Sequence, residues 1–216
     1  MRMEILYTNE FKKKKRALHM KTIIISNGHG RWQLGKRSDV LPFDHPLKER
    51  IMKEDGQKLF RCPEWWTNRE IKRYIIAALP PHIKVIDLVP NPENVGQYLS
   101  QRVRKANSIK ADLYLAIHSD AFGMGPFNTA HGFSTFYHSA KEEAEIFNKH
   151  MALMMPDRKN RGLVWNNTFH EIMGVNHRSV LTENLFYTNE EEVKYLLNNL
   201  ELIANANVNA IIEWAS

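Results

Sequence analysis

Three apolar segments of the sequence each lead to a side chain that could bind a metal ion or move a proton. The segments and the residues that follow them are Thr22–Ile25 with His29, Leu113–Ile117 with His118, and Val180–Leu181 with Glu183. Short runs rich in Ile, Leu and Val are typical of buried strands. In open α/β sheets, ligands bind beyond the carboxyl ends of the strands, so we expect these side chains to converge. Two imidazoles and a carboxylate at one place favour the chemistry of a zinc hydrolase.

His29 and His118 are the strongest candidates for metal ligands. Both follow a predicted strand and have small residues beside them. Gly28 and Gly30 leave room for an ion next to His29 and allow the backbone to turn sharply. A single histidine at such a position is more often a hydrogen-bonded loop residue, but two histidines at matched strand ends weaken that interpretation.

Two glutamates could complete the site. Glu70 could be the third metal ligand, or it could close a capping box that Thr67 opens three residues earlier. The spacing leaves both interpretations open. Glu183 could be a general base, because a buried carboxylate is costly unless a metal, a proton or a partner satisfies it. The alternative for Glu183 is a salt-bridged residue at a strand end.

The rest of the sequence alternates predicted strands with predicted helices. The predicted helices are 68–79, 94–109, 140–155 and 190–214, and the further strands are 84–89 and 132–137. This alternation predicts a single α/β domain with a mainly parallel, twisted sheet and helices on both faces. Residues 31–66 show no such pattern, and a loop of this length predicts a lid or a substrate wall.

The composition is that of a globular protein, with 43% hydrophobic and 25% charged residues in a chain of 216. The net charge of +6 is concentrated near the N-terminus, where residues 1–20 contain six basic and two acidic side chains. We interpret 1–20 as a basic extension, either mobile or left from a tag, and 21–216 as the catalytic domain.

Cysteine content and hydropathy exclude other classes of protein. The single cysteine, Cys62, rules out an intramolecular disulfide and a cysteine-based metal cage. No apolar run is long enough to cross a bilayer, and the N-terminus shows no signal-peptide pattern.

Four parts of the chain carry a resemblance to a known family: Ile25–Gly30 (ISNGHG), Thr67–Glu70 (TNRE), Gln101–Asn107 with Ala111–Ala121 (QRVRKAN and ADLYLAIHSDA), and Ser179–Asn189 (SVLTENLFYTN). In this order they resemble motifs of the zinc-dependent N-acetylmuramoyl-L-alanine amidases of the amidase-3 type. Each motif alone is weak evidence, but four in the right order are fairly specific. The likeness covers about Lys21 to Ser216.

The resemblance implies one Zn²⁺ ion bound by His29, Glu70 and His118, with Glu183 as the catalytic residue. In such a site the metal activates a water molecule, and the glutamate takes the proton and passes it to the leaving amine. The implied substrate is peptidoglycan, cleaved at the amide bond between N-acetylmuramic acid and L-alanine.

Four residues are candidates for substrate contacts. Trp65 and Trp66 could stack on a sugar or a peptide, or they could anchor the long loop to the core. Arg178 could hold a substrate carboxylate, or it could be a surface cation. Asp120 stands where the resembling family usually has asparagine, and Leu185 where it usually has glycine. We expect these two departures to alter the shape of the pocket rather than the reaction.

Two other functions stay open at this stage. One is a different zinc peptidase, such as a carboxypeptidase, on a similar fold. The other is a polyanion-binding module that uses the basic extension and the tryptophan pair, although no nucleic-acid-binding signature is present. The resemblance favours an endolysin-like, bacteriolytic enzyme of a phage or prophage. We expect a monomer that is made in the cytoplasm and reaches the wall through a separate pore.

Overall fold

A six-stranded β-sheet forms the centre of the computed structural model, which describes residues 20–31, 33–90, 99–123 and 125–216. The strands are β1 (Thr22–Asn27), β2 (Lys84–Asp87), β3 (Leu113–Asp120), β4 (Phe133–Tyr137), β5 (Asn160–Trp165) and β6 (Ser179–Phe186). Their order across the sheet is β2-β1-β3-β6-β4-β5. The first four in that order are parallel, β4 runs antiparallel to β6, and β5 is parallel to β4. The sheet is therefore mostly parallel.

Seven helices accompany the sheet in the part of the chain that the structure describes. They are α1 (Lys48–Asp55), α2 (Glu64–Ala78), α3 (Leu99–Asn107), α4 (Lys141–Met154), α5 (His170–Met173), α6 (Glu190–Asn198) and α7 (Leu200–Ala215). None of these helices combines the length and the apolar character that a bilayer span needs.

The central strands bury alternate residues in two apolar layers. Ile23 and Ile25 of β1 pack in one layer with residues of α2, α4 and α7. Ile24 packs in the other layer with residues of α3 and α5. Successive side chains of a strand point to opposite faces, so a strand covered on both sides is apolar throughout. The predicted single α/β domain with helices on both faces is confirmed.

Five of the strands lie where the sequence predicts them, whereas β5 was not predicted. Among the described residues it is one of the two edge strands of the sheet, and its backbone pairs with β4. Its six residues, NRGLVW, are exposed or only partly buried. A strand in this position needs no apolar run, so it lacks the pattern that marks the buried strands.

The helices differ from the prediction in four places, one of which is the short helix α5, which was not predicted. The helix predicted from residue 68 begins at Glu64, and the helix predicted as 190–214 is broken into α6 and α7 at Asn199. Part of the long loop 31–66 forms α1. The helix predicted as 94–109 is observed as α3, while 91–98 and residues 1–19 of the basic extension lie outside the described residues.

A bulge in β6 directly follows Glu183. His118 of β3 is paired with Glu183, but Asp120 is paired with Phe186, so β6 contains one extra residue. Leu185, inside this bulge, has φ 68°, a left-handed conformation that costs a leucine roughly 1–2 kcal/mol. Its side chain is fully buried in the core, which offsets that cost by about 2 kcal/mol. Bulges commonly redirect side chains beside functional sites.

Candidate metal centre

The carboxyl ends of β1 and β3 meet the first turn of α2, and three side chains converge there. His29, Glu64 and His118 each offer one ligand atom, and these atoms lie within 4.8 Å of one another. His29 Nε2 is 3.2 Å from Glu64 Oε2, and His118 Nδ1 is 3.1 Å from Glu64 Oε1. Glu64 therefore lies between the two imidazoles, which are arranged edge to face with 5.1 Å between ring centroids.

The backbone around His29 allows its imidazole to lie close to that of His118. His29 itself has φ 59°, a conformation that non-glycine residues adopt rarely and mostly where the surrounding structure enforces it. Arg102 of α3 enforces it here, because its guanidinium donates hydrogen bonds to the carbonyls of Asn27 and His29, both at 2.7 Å. At Gly28 a Cβ atom would lie 2.2 Å from Cε1 of His118, so only glycine leaves room for that ring.

The third residue of this group is Glu64 and not Glu70, which corrects the prediction from the sequence. Pro63 precedes the first turn of α2, and Glu64 opens it. Thr67, expected as the N-cap, lies inside the helix, where its hydroxyl donates to the carbonyl of Glu64 at 3.1 Å. Proline just before an acidic residue is a typical helix start, and this signal was available in the sequence.

Glu70 is occupied elsewhere. Its buried carboxylate accepts hydrogen bonds from Arg50 at 2.9 Å, from Arg69 at 3.0 Å and from Arg73 at 3.2 Å. It lies nearly two turns after Glu64 on the same helix, so its side chain points away from the histidines. These contacts make Glu70 part of a structural ion-pair network.

Glu183 faces the same site from β6. It is the register partner of His118 and is 8% exposed. Burial raises the pKa of its carboxyl well above the ordinary value, and the negative charges of Glu64 and Asp120 act in the same direction. Its Oε2 atom is buried and has no hydrogen-bond partner among the described residues. An unsatisfied buried polar atom of this kind is a recognised sign of a catalytic role or of a bound group.

The electrostatics of the three converging residues suit a cation. Burial lowers the pKa of His29 to about 4, so its imidazole is neutral at pH 7 and can donate a lone pair. Burial alone would raise the pKa of Glu64, but the hydrogen bond from His118 and the electrostatic interactions with His29 and His118 lower it. Two imidazoles and an ionised carboxylate form a donor set that zinc prefers in catalytic sites.

Comparison with known proteins places the chain in a family. Residues 23–213 match the family described as N-acetylmuramoyl-L-alanine amidase, Amidase_3. The chain belongs to this amidase family. Membership supports a peptidoglycan amidase activity. No curated protein matches the chain.

Solved structures of amidases have the same fold. The catalytic domain of CwlV, an N-acetylmuramoyl-L-alanine amidase from Bacillus (Paenibacillus) polymyxa var. colistinus, is 22% identical with a TM-score of 0.69, over 90% of this chain and 98% of that one. An N-acetylmuramoyl-L-alanine amidase from Clostridium difficile 630 is 21% identical with a TM-score of 0.72, over 90% and 96%. The catalytic domain of the CD27L endolysin, which targets Clostridia Difficile, is 17% identical with a TM-score of 0.64, over 89% and 97%.

The two tryptophans of the amidase chain anchor the long loop and do not form a stacking surface. Trp65 is 3% exposed and Trp66 is fully buried. Trp65 Nε1 donates to Asp55 Oδ1 at 2.6 Å, and the guanidinium of Arg69 covers its ring at 4.9 Å from the centroid. Arg50 lies over the ring of Trp66 at 5.1 Å. These contacts argue against the suggestion that the rings bind substrate, because protein groups cover the rings and accept hydrogen bonds from their N–H groups.

Arg178 also lies away from the site. Arg178 lies just before the first residue of β6, whereas Glu183 lies near the carboxyl end of that strand. The two residues are therefore at opposite ends of β6. The guanidinium of Arg178 is paired with Glu143 of α4. The structure therefore does not bring Arg178 together with the converging residues, and its pairing with Glu143 argues against the suggestion that it binds a substrate carboxylate there.

Asp120 remains a prediction as a substrate contact. It is half-buried at the end of β3, and its Oδ1 accepts a hydrogen bond from the backbone N–H of Ala121 at 2.7 Å. Burial raises the pKa of its carboxyl, and the charge of Glu64 contributes in the same direction. Asp120 is therefore within electrostatic reach of the site.

Glu171 is a buried residue of this site that sequence reasoning missed. Its Oε2 atom is 3.0 Å from His118 Nε2. Burial alone would raise the pKa of Glu171, but His118 lowers it to about 2. Burial alone would lower the pKa of His118, but Glu171 and Glu64 raise it to about 10. In the sequence, His170-Glu171 begins like the zincin motif HExxH, but the next histidine is too far along to complete it. Nothing else in the local sequence marks Glu171 as a site residue.

Proposed function

We propose that the chain is a zinc-dependent N-acetylmuramoyl-L-alanine amidase that hydrolyses the bond between N-acetylmuramic acid and L-alanine. The observation that carries this proposal is the convergence of His29, Glu64 and His118, with Glu183 facing them from the neighbouring strand. The family match supports the substrate class.

One Zn²⁺ ion fits the donor set on this chain. His29 Nε2 and His118 Nδ1 are the nitrogens that face Glu64, so these atoms and the Glu64 carboxylate would hold the ion. A bound zinc ion supplies an activated water at neutral pH and polarises the amide carbonyl. Three protein ligands leave one position for water or substrate, as catalytic zinc sites require.

Glu183 would act as the general base and then as the general acid. Next to a bound cation the Glu183 carboxyl would be ionised, and its Oε2 atom, which has no hydrogen-bond partner among the described residues, would accept the proton of the attacking water and hold it until the amine departs. The bulge at Leu185 contributes by setting the direction of the strand immediately after Glu183. The proton therefore moves from water to Glu183 and from Glu183 to the nitrogen of L-alanine.

Two measurements on the purified chain test the proposal together. Elemental analysis should give about one zinc per chain, and mass spectrometry of digested sacculi should detect intact stem peptides with a free L-alanine amino group. Release of single C-terminal amino acids would instead indicate a carboxypeptidase. Salt-dependent DNA binding without digestion would favour the polyanion-binding module.

We also propose an endolysin-like setting, with residues 21–216 as a monomeric, bacteriolytic catalytic domain and 1–20 as a basic extension. The extension would attract the anionic envelope of a bacterium by its positive charge. Expression inside a bacterium with and without a membrane pore tests this setting, and lysis should require the pore. A chain that begins at Met20 should lyse cells less efficiently at low salt, and equal lysis would contradict the role of the extension.

A further inference from the structure

We propose that Glu171 is a positioning residue, which holds the imidazole of His118 in the orientation that the metal requires. This inference rests on the metal site of the proposed function. Nothing in the family match assigns a role to this residue.

The imidazole of His118 has a carboxylate on each side. Nε2 is 3.0 Å from Glu171 Oε2, and Nδ1 is 3.1 Å from Glu64 Oε1. A neutral imidazole has one N–H group and one lone pair. When a cation replaces the proton on Nδ1, Nε2–H still donates to Glu171 and the lone pair of Nδ1 points towards Glu64, where the cation would lie. Carboxylates that accept from a metal-binding histidine in this way select its tautomer and make it a stronger ligand.

Glu171 is itself held in place. Its Oε1 atom accepts hydrogen bonds from the hydroxyl of Ser26 at 3.0 Å and from that of Tyr114 at 2.8 Å. The residue is 4% exposed and follows His170 in the short helix α5, whose next residue, Ile172, packs in the second apolar layer. A buried carboxylate with donors on both oxygens has little freedom to rotate. Glu171 therefore fixes the His118 ring to β1 and β3 as well as to α5.

Among the residues that the structure describes, the support of the His29 ring is weaker. Its Nδ1 atom is 3.2 Å from Oε1 of Gln33, a neutral amide near the surface. Hydrogen bonds to an ionised acceptor are roughly twice as strong as those between neutral groups. The two histidines are therefore held unequally, and loss of Glu171 should weaken metal binding more than loss of Gln33.

The test is the zinc affinity of Glu171→Gln, measured by competition with a chromophoric chelator. We expect it to fall about 10- to 100-fold, the usual effect of removing such a partner. Gln33→Ala should reduce the affinity less. Glu143→Gln is the matched control, because it removes another buried carboxylate, the partner of Arg178 at the opposite end of β6, and it should leave the affinity unchanged.

A second readout separates positioning from general stability. The visible spectrum of the Co²⁺-loaded protein reports ligand geometry, and it should change in Glu171→Gln but not in Glu143→Gln. If Glu171→Gln does not fold, Tyr114→Phe keeps the carboxylate, removes one of its donors and should weaken zinc binding to a smaller extent.

Two results would overturn the inference in distinguishable ways. If the wild-type chain binds zinc and Glu171→Gln binds it equally well with the same Co²⁺ spectrum, positioning by Glu171 is refuted and the proposed amidase function stands. If the wild-type chain binds no zinc, the metal site fails and this inference fails with it.

Discussion

Glu183 is the register partner of His118 in the adjacent parallel strand. Side chains of register partners leave a sheet on the same face. The proposed base and a proposed metal ligand are therefore neighbours because of strand pairing, although 65 positions separate them in the sequence. Because the two residues have different proposed roles, a variant of Glu183 tests proton transfer and a variant of a histidine tests metal binding.

Glu183→Gln should bind zinc about as well as the wild type but lose turnover. Removal of a general acid–base group typically reduces the rate about 10²- to 10⁴-fold. Metal content by elemental analysis and amide hydrolysis on purified peptidoglycan are the two measurements. His29→Ala is the comparison and should lose both metal and activity. Near-normal turnover in Glu183→Gln would remove this residue from the mechanism.

Glu64 and Glu70 provide a matched pair on one helix. Glu64→Gln should weaken zinc binding by more than the roughly 100-fold that loss of a supporting contact can cause, because it removes a direct ligand. Glu70→Gln should leave zinc binding intact and destabilise the fold by about 0.2–1 kcal/mol for each ion pair that it breaks with Arg50, Arg69 and Arg73, since the network is partly exposed. Chelator competition and urea unfolding measure the two effects. The opposite pattern would restore Glu70 as the ligand.

Glu183 should also make the stability of the metal-free protein depend on pH. Its folded-state pKa lies well above the ordinary value of 4.5, so the folded state keeps a proton that the unfolded state releases. Stability from this group is complete below pH 4.5 and is lost as the pH rises towards the folded pKa. With a chelator present, Glu183→Gln should melt at a higher temperature than the wild type at pH 8. The gap should close near pH 4.5, and a gap that does not vary with pH would contradict the raised pKa.

Trp65→Phe should affect stability and not substrate affinity. The change removes the hydrogen bond to Asp55 in a buried position, which is expected to cost about 1–3 kcal/mol. Urea unfolding measures this loss, and KM for peptidoglycan fragments should stay within about twofold because the ring does not face the substrate. An increase in KM without a loss of stability would revive the stacking role.

Cys62 should be unreactive until the protein unfolds. The residue is fully buried, and burial raises the pKa of its thiol well above the ordinary value. Only the thiolate reacts quickly with labelling reagents. Labelling followed by mass spectrometry should detect no adduct in native buffer and one adduct per chain in urea. Rapid native labelling would show that the region around α1 and α2 opens readily.

The sequence was sufficient for the parts of the fold and site that depend on local patterns. The buried strands are apolar runs because helices cover both faces, so β1, β3 and β6 could be located directly. The positions of His29 and His118 just after or near the ends of these runs predicted their convergence, since parallel strands in one sheet end at the same edge. Their meeting at one place is therefore a consequence of strand order.

Only the tertiary structure decided which glutamate joins them. Thr67 and Glu70 have capping-box spacing, but the helix begins at Glu64, and a shift of six residues turns a helical side chain towards a different neighbour. The contact between Glu171 and His118 joins two residues that are 53 positions apart. It depends on how α5 packs against the sheet, and no spacing rule encodes such packing. Local sequence determines where strands and helices form, whereas long-range packing determines which of their polar groups meet.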